Sequence, residues 1–313
     1  MRIFDKSELK KLYKPAVKSS GEDNGQITII GGSDLFHGAP ILALKTASRI
    51  VDMVFFASPE PSVGAIAENA KSKLLSFIWV PWDEVEAYIA KSDAILIGPG
   101  FKRFKSEHMP HGVRLHVCDE ECKKTREITR RLLFKFKTKR WVIDAGSLQS
   151  MDAGWIPKKA IITPNSKEFE MLFGGISRDI PQKVHTPQSA KSKRDDEAGF
   201  KSLPSSSKVR DMAKKYRCTI VLKGPETIVC SPTDCVLVKG GNPGMTKGGT
   251  GDVLAGLTLA LLAKNDPFLA AASASYIIKA AADDLYNKVG VNYNADDLAD
   301  KIPETFWKAI SNK

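Results

Sequence analysis

The sequence NPGMTKGGTGDVLAG at residues 242–256 decides the fold, because it joins a glycine-rich turn to the start of a helix. Apolar residues follow the turn at the spacing of one helix face, at positions 253, 254, 257 and 261. This spacing predicts a helix over 251–263. The glycines allow a sharp turn before it. Successive backbone N–H groups of such a turn, with the positive end of a helix, form an anion-binding pocket.

Asp252 lies where the glycines stop, and it is a candidate general base. A carboxylate beside an anion pocket is unsuited to binding an anion. It can instead take a proton from a hydroxyl that attacks a phosphoryl group, while the pocket carries the charge that develops. A simpler interpretation is that Asp252 only caps the helix, since Asp is favoured there. The glycine-rich turn alone leaves both interpretations open.

Working outward, short β-branched runs and helical patterns alternate along the chain. The predicted strands are 26–33, 93–100, 140–147, 160–165, 219–226, 227–232 and 235–241. The predicted helices are 38–51, 119–137, 206–216, 251–263 and 267–288. This alternation predicts an α/β sandwich with a mainly parallel sheet, and the closely spaced last strands predict a C-terminal antiparallel hairpin. The candidate motifs follow strand ends, where open α/β sheets bind ligands.

We expect one domain over residues 1–313. Residues 1–24 are predicted to form an N-terminal extension. Segments 101–118 and 175–207 are predicted to be surface loop excursions, because 175–207 is rich in Ser, Lys and Pro and lacks periodicity.

Composition and charge argue against several functional classes of protein. The net charge of +11 is spread along the chain without an aromatic-interleaved basic motif, so nucleic-acid binding would rest on charge alone. No secretory signal is evident, and the most apolar stretch is broken at 264–267, so neither export nor a membrane span is expected. The odd count of five cysteines, without C-x-x-C spacing, predicts reduced thiols in a cytoplasmic protein.

The stretch NPGMTKGGTGDVLAGLTLALLAK resembles the signature of the ADP/ATP-dependent NAD(P)H-hydrate dehydratases, which are ribokinase-like. Other segments resemble the family's motifs in the same order: ITIIGGSDLFHGAPILALKTASR, DAILIGPG, WVIDAGSLQ, IITPNSKEFEMLFG and IVLKGPETIV. The resemblance covers about 25–302. It implies a ribokinase-like three-layer αβα sandwich.

The resemblance implies a repair reaction. The family uses ADP, or ATP in some members, to phosphorylate the hydroxyl of a hydrated reduced nicotinamide cofactor (NADHX or NADPHX). Phosphate then leaves and NAD(P)H returns. Mg²⁺ and ADP or ATP are the implied cofactors, with ADP the favoured donor.

The resemblance also implies site residues. Asp252 would be the base. The anion hole would be formed by Gly249, Thr250 and Gly251. The hydrate would contact Ala39, Gly100, Asn165 and Asp252. The nucleotide would contact Lys223, Gly224, Pro225, Glu226, Thr227 and Gly251, with Glu226 directed away from the phosphates. Glu168 would hold Mg²⁺ through water, although Asn165 and Glu168 also match a helix-capping pair.

The sequence departs from the family pattern at three places. Asn165 stands where many members have histidine, so its contact can persist but an acid–base role cannot. Lys102 replaces a glycine. The segment 101–122 is longer than usual, and we expect it to lie over the site mouth, with three basic residues near the cofactor's phosphates: Lys102, Arg103 and Lys105. An alternative is zinc binding by His108, His111, His116, Cys118 and Cys122.

Two other functions stay open at this point. One is a ribokinase-like kinase of another small alcohol, of the thiazole or pyrimidine type. The other is a non-catalytic nucleotide-binding homologue. For the repair enzyme, no segment here is expected to house a hydrate epimerase, so the chain would act on one epimer and depend on a separate epimerase or on spontaneous interconversion. The family resemblance suggests a tetramer.

Overall fold

A ten-stranded sheet forms the centre of the molecule. The structure is a computed structural model that describes residues 1–70, 74–108, 114–174 and 204–311. Numbered along the chain, the strands run from one edge to the other as Arg2–Ile3 (β1), Cys235–Val238 (β12), Thr227–Cys230 (β11), Thr219–Leu222 (β10), Ile161–Ile162 (β9), Arg140–Ile143 (β8), Ala94–Ile97 (β5), Gln26–Ile30 (β2), Met53–Ala57 (β3) and Ile78–Trp79 (β4). Lys105–His108 (β6) and Arg114–Val117 (β7) pair separately as an antiparallel hairpin.

Neighbouring strands of the large sheet are parallel except where β11 is involved. β11 runs antiparallel to both β10 and β12. The other pairs, including β8 with β5 and β10 with β9, are parallel. Central strands such as β10 are buried along their whole length, which explains their continuous apolar sequence. The predicted mainly parallel sheet with a C-terminal antiparallel hairpin is confirmed.

Helices cover both faces of the sheet. One face carries Gly38–Ala47 (α1), Pro61–Ala70 (α2), Thr250–Leu262 (α8), Pro267–Val289 (α9) and Ala295–Ile310 (α10). The other carries Val85–Lys91 (α3), Glu120–Lys135 (α4), Ala145–Ser150 (α5), Ser166–Phe173 (α6) and Ser206–Tyr216 (α7). Because successive strand residues point to opposite faces, Leu96 packs in the first core while Ile95 and Ile97 pack in the second. None of the described helices combines the length and apolar run that crossing a bilayer requires.

All the predicted strands and helices are present, with ends shifted by a few residues. The sequence patterns did not predict β1, β3, β4, β6, β7, α2, α3, α5 or α10, and residues 145–147, predicted as the end of a strand, belong to α5.

The outcome differs among the three segments that the sequence predicts as an N-terminal extension or a surface loop. In the N-terminal segment, β1 pairs with β12 at the sheet edge, and Leu9 and Leu12 are buried. The 101–118 segment contains the β6–β7 hairpin. Of the 175–207 excursion, residues 175–203 lie outside the described residues.

The expectation of reduced thiols is wrong for four of the five cysteines. Cys230 and Cys235 form a disulfide, because they face each other across the β11–β12 pair with their Cα atoms 4.1 Å apart. Cys118 and Cys122 form another at the start of α4, with Cα atoms 5.1 Å apart. Cys218 is free and buried. Spacings of 4 and 5 residues match no recognised disulfide pattern, so these pairs could not be predicted from the sequence.

Candidate active site

The glycine-rich turn leads into α8 through Gly249, which has φ of +92°. A Cβ at this position would lie 2.5 Å from Leu42 Cδ1 and 2.8 Å from Ala295 Cβ. Glycine is therefore required both by the left-handed backbone and by the close approach of α1 and α10. Thr250 begins α8, so the first-turn N–H groups have no carbonyl acceptor within the helix. The predicted turn and helix start are confirmed.

Thr250 contributes to the turn through its side chain. Its hydroxyl donates to the carbonyl oxygens of Met245 at 2.8 Å and Lys247 at 3.0 Å. That hydroxyl is therefore engaged within the protein. Any contribution of Thr250 to an anion hole would come from its backbone N–H, which makes a long hydrogen bond of 3.5 Å to the Lys247 carbonyl oxygen and would have to exchange that acceptor for the anion.

Asp252 is half-buried in the first turn of α8. Burial raises the pKa of its carboxyl to about 7, and the neighbouring Asp144 and Glu168 add to the rise while Lys223 opposes it. A carboxyl that is half ionised near neutral pH is a stronger base than an ordinary aspartate and can still be deprotonated under those conditions. Asp252 thus has the electrostatic character of a general base.

Lys223 connects Asp252 to two further carboxylates. It follows β10, and its Nζ donates to Asp144 Oδ1 at 2.9 Å and lies 3.7 Å from Glu168 Oε2. Burial alone would lower the pKa of Lys223, but the charges of Asp144, Glu168 and Asp252 outweigh it and raise this pKa. Lys223 is therefore a fixed cation among three acids.

Asn165 and Glu168 form a reciprocal cap at the start of α6. Asn165 Oδ1 accepts from the Glu168 N–H at 3.0 Å, and Glu168 Oε2 accepts from the Asn165 N–H at 2.8 Å. Glu168 Oε1 also accepts from Gln149 Nε2 at 2.8 Å. The helix-capping interpretation is confirmed. Both Glu168 oxygens already accept protein hydrogen bonds, so direct coordination of a metal would disturb them.

A cavity of about 570 Å³ opens beside this cluster. Of the predicted nucleotide-binding and anion-hole residues, it is lined by Lys223, Gly224, Pro225, Thr227, Thr250 and Gly251. Glu226 is exposed and does not line it, as expected of a residue directed away. The remainder of the lining comes from the segment after β12, from Leu254 and from α9. The predicted nucleotide-binding segments are thus brought together around one cavity.

Ala39 and Gly100 lie in the segments that follow two neighbouring strands, β2 and β5, and neither lines this cavity. Ala39 is in the first turn of α1. Gly100 has φ of +76°, and a Cβ there would lie 2.3 Å from the Phe36 carbonyl oxygen. Close packing of the two loops is therefore one reason for glycine at this position. Lys102, which replaces the family's glycine, pairs with Asp34 at 2.6 Å.

The described residues contain no cluster of His, Cys, Asp and Glu arranged to hold a metal ion. Cys118 and Cys122 are joined to each other, which removes both as thiolate ligands. His111 and the side chains of His108 and His116 lie outside the described residues.

Comparison with known proteins matches residues 27–304 to the family model described as NAD(P)H-hydrate dehydratase. The match covers the sheet apart from its edge strand β1, together with the carboxylate cluster and the glycine-rich turn. The chain belongs to the NAD(P)H-hydrate dehydratase family. The resemblance first seen in the sequence motifs is confirmed.

Members of this family with similar sequences come from archaea. The chain is 32% identical over 315 residues to a bifunctional NAD(P)H-hydrate repair enzyme Nnr of Hyperthermus butylicus; the match covers 94% of this chain and 50% of the relative. The chain thus spans about half the length of that relative. It is 28% identical to an ADP-dependent (S)-NAD(P)H-hydrate dehydratase of Cenarchaeum symbiosum, and this match covers 96% of each protein.

A solved member of the dehydratase family shares the fold. The ADP/ATP-dependent NAD(P)H-hydrate dehydratase of Bacillus subtilis, co-crystallized with ATP/Mg²⁺, superposes with a TM-score of 0.71. The two chains are 21% identical, and the match covers 98% of each. A ribokinase-like superfamily protein of Enterococcus faecalis superposes with a TM-score of 0.73 at 20% identity, covering 98% of this chain and 96% of that chain, which confirms the predicted ribokinase-like fold class.

Sequence reasoning missed three groups of this dehydratase-family site. Asp144 was seen only as part of a strand end, yet its Oδ1 accepts from both Lys223 and Thr163. Gln149 orients Glu168. Lys279 lines the cavity from α9. The signal for Lys279 was present, because a lysine inside the apolar run ASASYIIKAAA is unusual.

Proposed function

We propose that this chain catalyses the nucleotide-dependent dehydration of NAD(P)H hydrates. The observation that carries the proposal is Asp252, a carboxyl with a pKa raised to about 7 at the start of α8, beside the cavity lined by Lys223 and Gly251. Family membership supports the substrate class. NADHX and NADPHX are therefore the proposed substrates.

Asp252 takes the proton from the hydrate hydroxyl as the hydroxyl oxygen attacks the donor's terminal phosphoryl group. The bond from that phosphorus to the bridging oxygen breaks, so that AMP leaves when ADP is the donor. The backbone N–H groups of Gly249, Thr250 and Gly251 stabilise the charge that develops on the transferred group. Phosphate then leaves with the electron pair of the carbon–oxygen bond, and the ring loses a proton, so the dihydropyridine is restored. Ala39, Gly100 and Asn165 are the proposed contacts of the hydrate.

Lys223 has two proposed roles in this reaction. It is held by Asp144 at 2.9 Å and supplies positive charge beside the cavity. It also counters the rise in the pKa of Asp252. Gly224, Pro225, Glu226 and Thr227 complete the proposed nucleotide-binding segment, with Glu226 exposed.

We propose that Mg²⁺ is held at this site only through water, because the described residues contain no cluster that would coordinate it directly. The donor set is made of carboxylate oxygens, which suit Mg²⁺, and this ion usually keeps several of its waters. Because both Glu168 oxygens accept hydrogen bonds from Gln149 and Asn165, Glu168 would hold the ion through a water molecule. When bound, Mg²⁺ neutralises charge on the donor's phosphates.

ADP is the proposed donor, since the Cenarchaeum symbiosum relative is named ADP-dependent. Some relatives are bifunctional and about twice as long. We propose that a hydrate epimerase supplies the epimer that this chain processes. We further infer one domain over residues 1–313, a homotetramer and a cytoplasmic location, where reduced nicotinamide cofactors are used.

The test is to mix the protein with NADHX, Mg²⁺ and either ADP or ATP and follow the near-ultraviolet absorbance of reduced nicotinamide. We expect absorbance to rise only when nucleotide is present, and faster with ADP. If folded protein that binds ADP gives no rise with either nucleotide, the proposal is contradicted. Phosphorylation of a thiazole or pyrimidine alcohol would then identify the alternative kinase.

A further inference from the structure

Lys279 is a buried cation that the reaction described above does not use. It lies on α9 with 4% of its surface exposed, between apolar residues that pack against the sheet. It also lines the 570 Å³ cavity, one helical turn after Ser275, which lines the same cavity. A buried lysine requires specific acceptors, because burial without partners is costly for a charged group.

The acceptors of Lys279 belong to two different loops. Its Nζ donates to the Pro225 carbonyl oxygen at 2.6 Å and to the Gly240 carbonyl oxygen at 3.0 Å. Pro225 lies in the turn between β10 and β11, whereas Gly240 follows β12. Both residues line the cavity. Lys279 therefore joins two walls of the cavity through a single ammonium group.

Asp283, one helical turn further along α9, strengthens the same attachment. Its Oδ2 accepts from the Gly241 N–H at 3.0 Å, and its Oδ1 accepts from Asn242 Nδ2 at 3.0 Å. Gly241 has φ of +84°, and a Cβ there would lie 3.3 Å from Lys279 Cγ. The backbone after β12 is therefore fitted closely against the Lys279 side chain.

Lys279 and Lys223 both supply positive charge to the cavity, but they lie at different places in it. These two lysines line the cavity, and none of its described lining residues carries a carboxylate. Lys223 follows β10 beside Asp252, while Gly240 follows β12, two strands further toward the sheet edge. At the usual strand spacing this separates the two loops by about 10 Å. The apolar residues Pro243, Met245 and Ile278 line the cavity with Lys279 and suit a flat ring.

We propose that Lys279 positions the donor nucleotide, by tying together the loops at Pro225 and Gly240 and by donating to an acceptor atom of the nucleobase. An ammonium has three N–H groups, and two of them are used on the carbonyls. Phosphates lie at the Lys223 and Gly251 end, and the base lies toward α9. This inference rests on the proposed function, because it takes the cavity to be the nucleotide site.

The test compares Lys279→Met, which removes the charge and all three N–H donors, with Lys279→Gln, which keeps amide donors without charge. Lys301→Met is the matched control, because Lys301 is also buried, at 8% exposure, but pairs with Glu304 on α10 away from the cavity. ADP affinity is measured by calorimetry, and KM and kcat are measured where turnover occurs. Melting temperatures establish that each variant is folded.

We expect Lys279→Met to weaken ADP binding at least tenfold, which is a loss of about 1.4 kcal/mol or more in binding free energy. The kcat at saturating ADP and the KM for the hydrate should stay within about threefold of wild type. Lys279→Gln should be intermediate, and Lys301→Met should bind ADP normally. Unchanged ADP affinity in a folded Lys279→Met, or in Lys279→Gln if the first variant does not fold, overturns the inference. Wild-type protein that binds ADP without dehydrating NADHX contradicts the proposed function alone, and the binding comparison still tests Lys279.

Discussion

At the scale of single residues, Asp252 is decisive because its environment changes its chemistry. An aspartate that only capped α8 would gain from being ionised beside the helix N-terminus. Here burial and the nearby Asp144 and Glu168 raise its pKa to about 7 despite the cation of Lys223. Perturbation of this kind is typical of functional sites.

Asp252 is expected to reduce stability at alkaline pH. Its pKa is higher in the folded state than in the unfolded state. Below about pH 4 the carboxyl is neutral in both states and does not change the free energy of unfolding. Above pH 7 it is ionised in both states, and its ionisation then lowers that free energy most. Asp252→Asn should therefore raise the free energy of unfolding at pH 8 by roughly 1 to 3 kcal/mol and by less at pH 5. Urea unfolding at both pH values measures this.

The control for this comparison is Asp211→Asn, because Asp211 is exposed on α7. It should change stability little at either pH. A folded Asp252→Asn with no gain at pH 8 would show that the carboxyl is not strained by its surroundings.

At the scale of elements, the junction between the glycine-rich turn and α8 depends on close packing. Gly249 lies in left-handed backbone against Leu42 of α1 and Ala295 of α10, while a Cβ on the neighbouring Gly248 would meet nothing within 4 Å. The structure therefore requires glycine at position 249 but leaves room for a side chain at position 248, although the sequence alone does not distinguish the two positions.

Gly249→Ala should destabilise the protein by roughly 2 to 4 kcal/mol, because it adds both backbone strain and a clash. Gly248→Ala is the matched control and should stay within about 0.5 kcal/mol of wild type. Chemical denaturation of both variants measures the difference. Equal stabilities would mean that α1 and α10 do not constrain the turn.

At the scale of the whole molecule, the two disulfides determine how many thiols can react. In denaturant without reductant, one thiol per chain should react, that of Cys218, because the other four cysteines are paired. After reduction, five should react. A thiol-specific chromogenic reagent and intact-mass measurement of alkylated protein give the count. Five reactive thiols before reduction would contradict both pairings.

Much of the fold could be predicted from the sequence, because buried parallel strands have continuous apolar runs that end at turns. Strand β10 and helix α8 are clear examples. Helix α10 was not predicted, since Pro303 interrupts its pattern although the helix continues through it. Cys230 and Cys235 become neighbours only through the register of β11 with β12.

The parts of the candidate site that consist of consecutive residues could be predicted from the sequence, as at Asp252 and in the Lys223–Thr227 segment. The acids around Lys223 come from β8 and α6, far apart along the chain, and their effect on Asp252 depends on distances that no local pattern contains. Lys279 reaches the cavity from α9, and its partners are backbone carbonyls, which leave no signature in side-chain identity.

The most direct test of the account is the turnover of NADHX with ADP and Mg²⁺ by Asp252→Asn, measured beside its ADP affinity. If Asp252 is the base, kcat should fall by about 10²- to 10⁴-fold, while the ADP dissociation constant stays within about threefold of wild type because Asp252 does not line the cavity. Turnover close to that of wild type in a folded variant that binds ADP would contradict the assignment of Asp252 as the base.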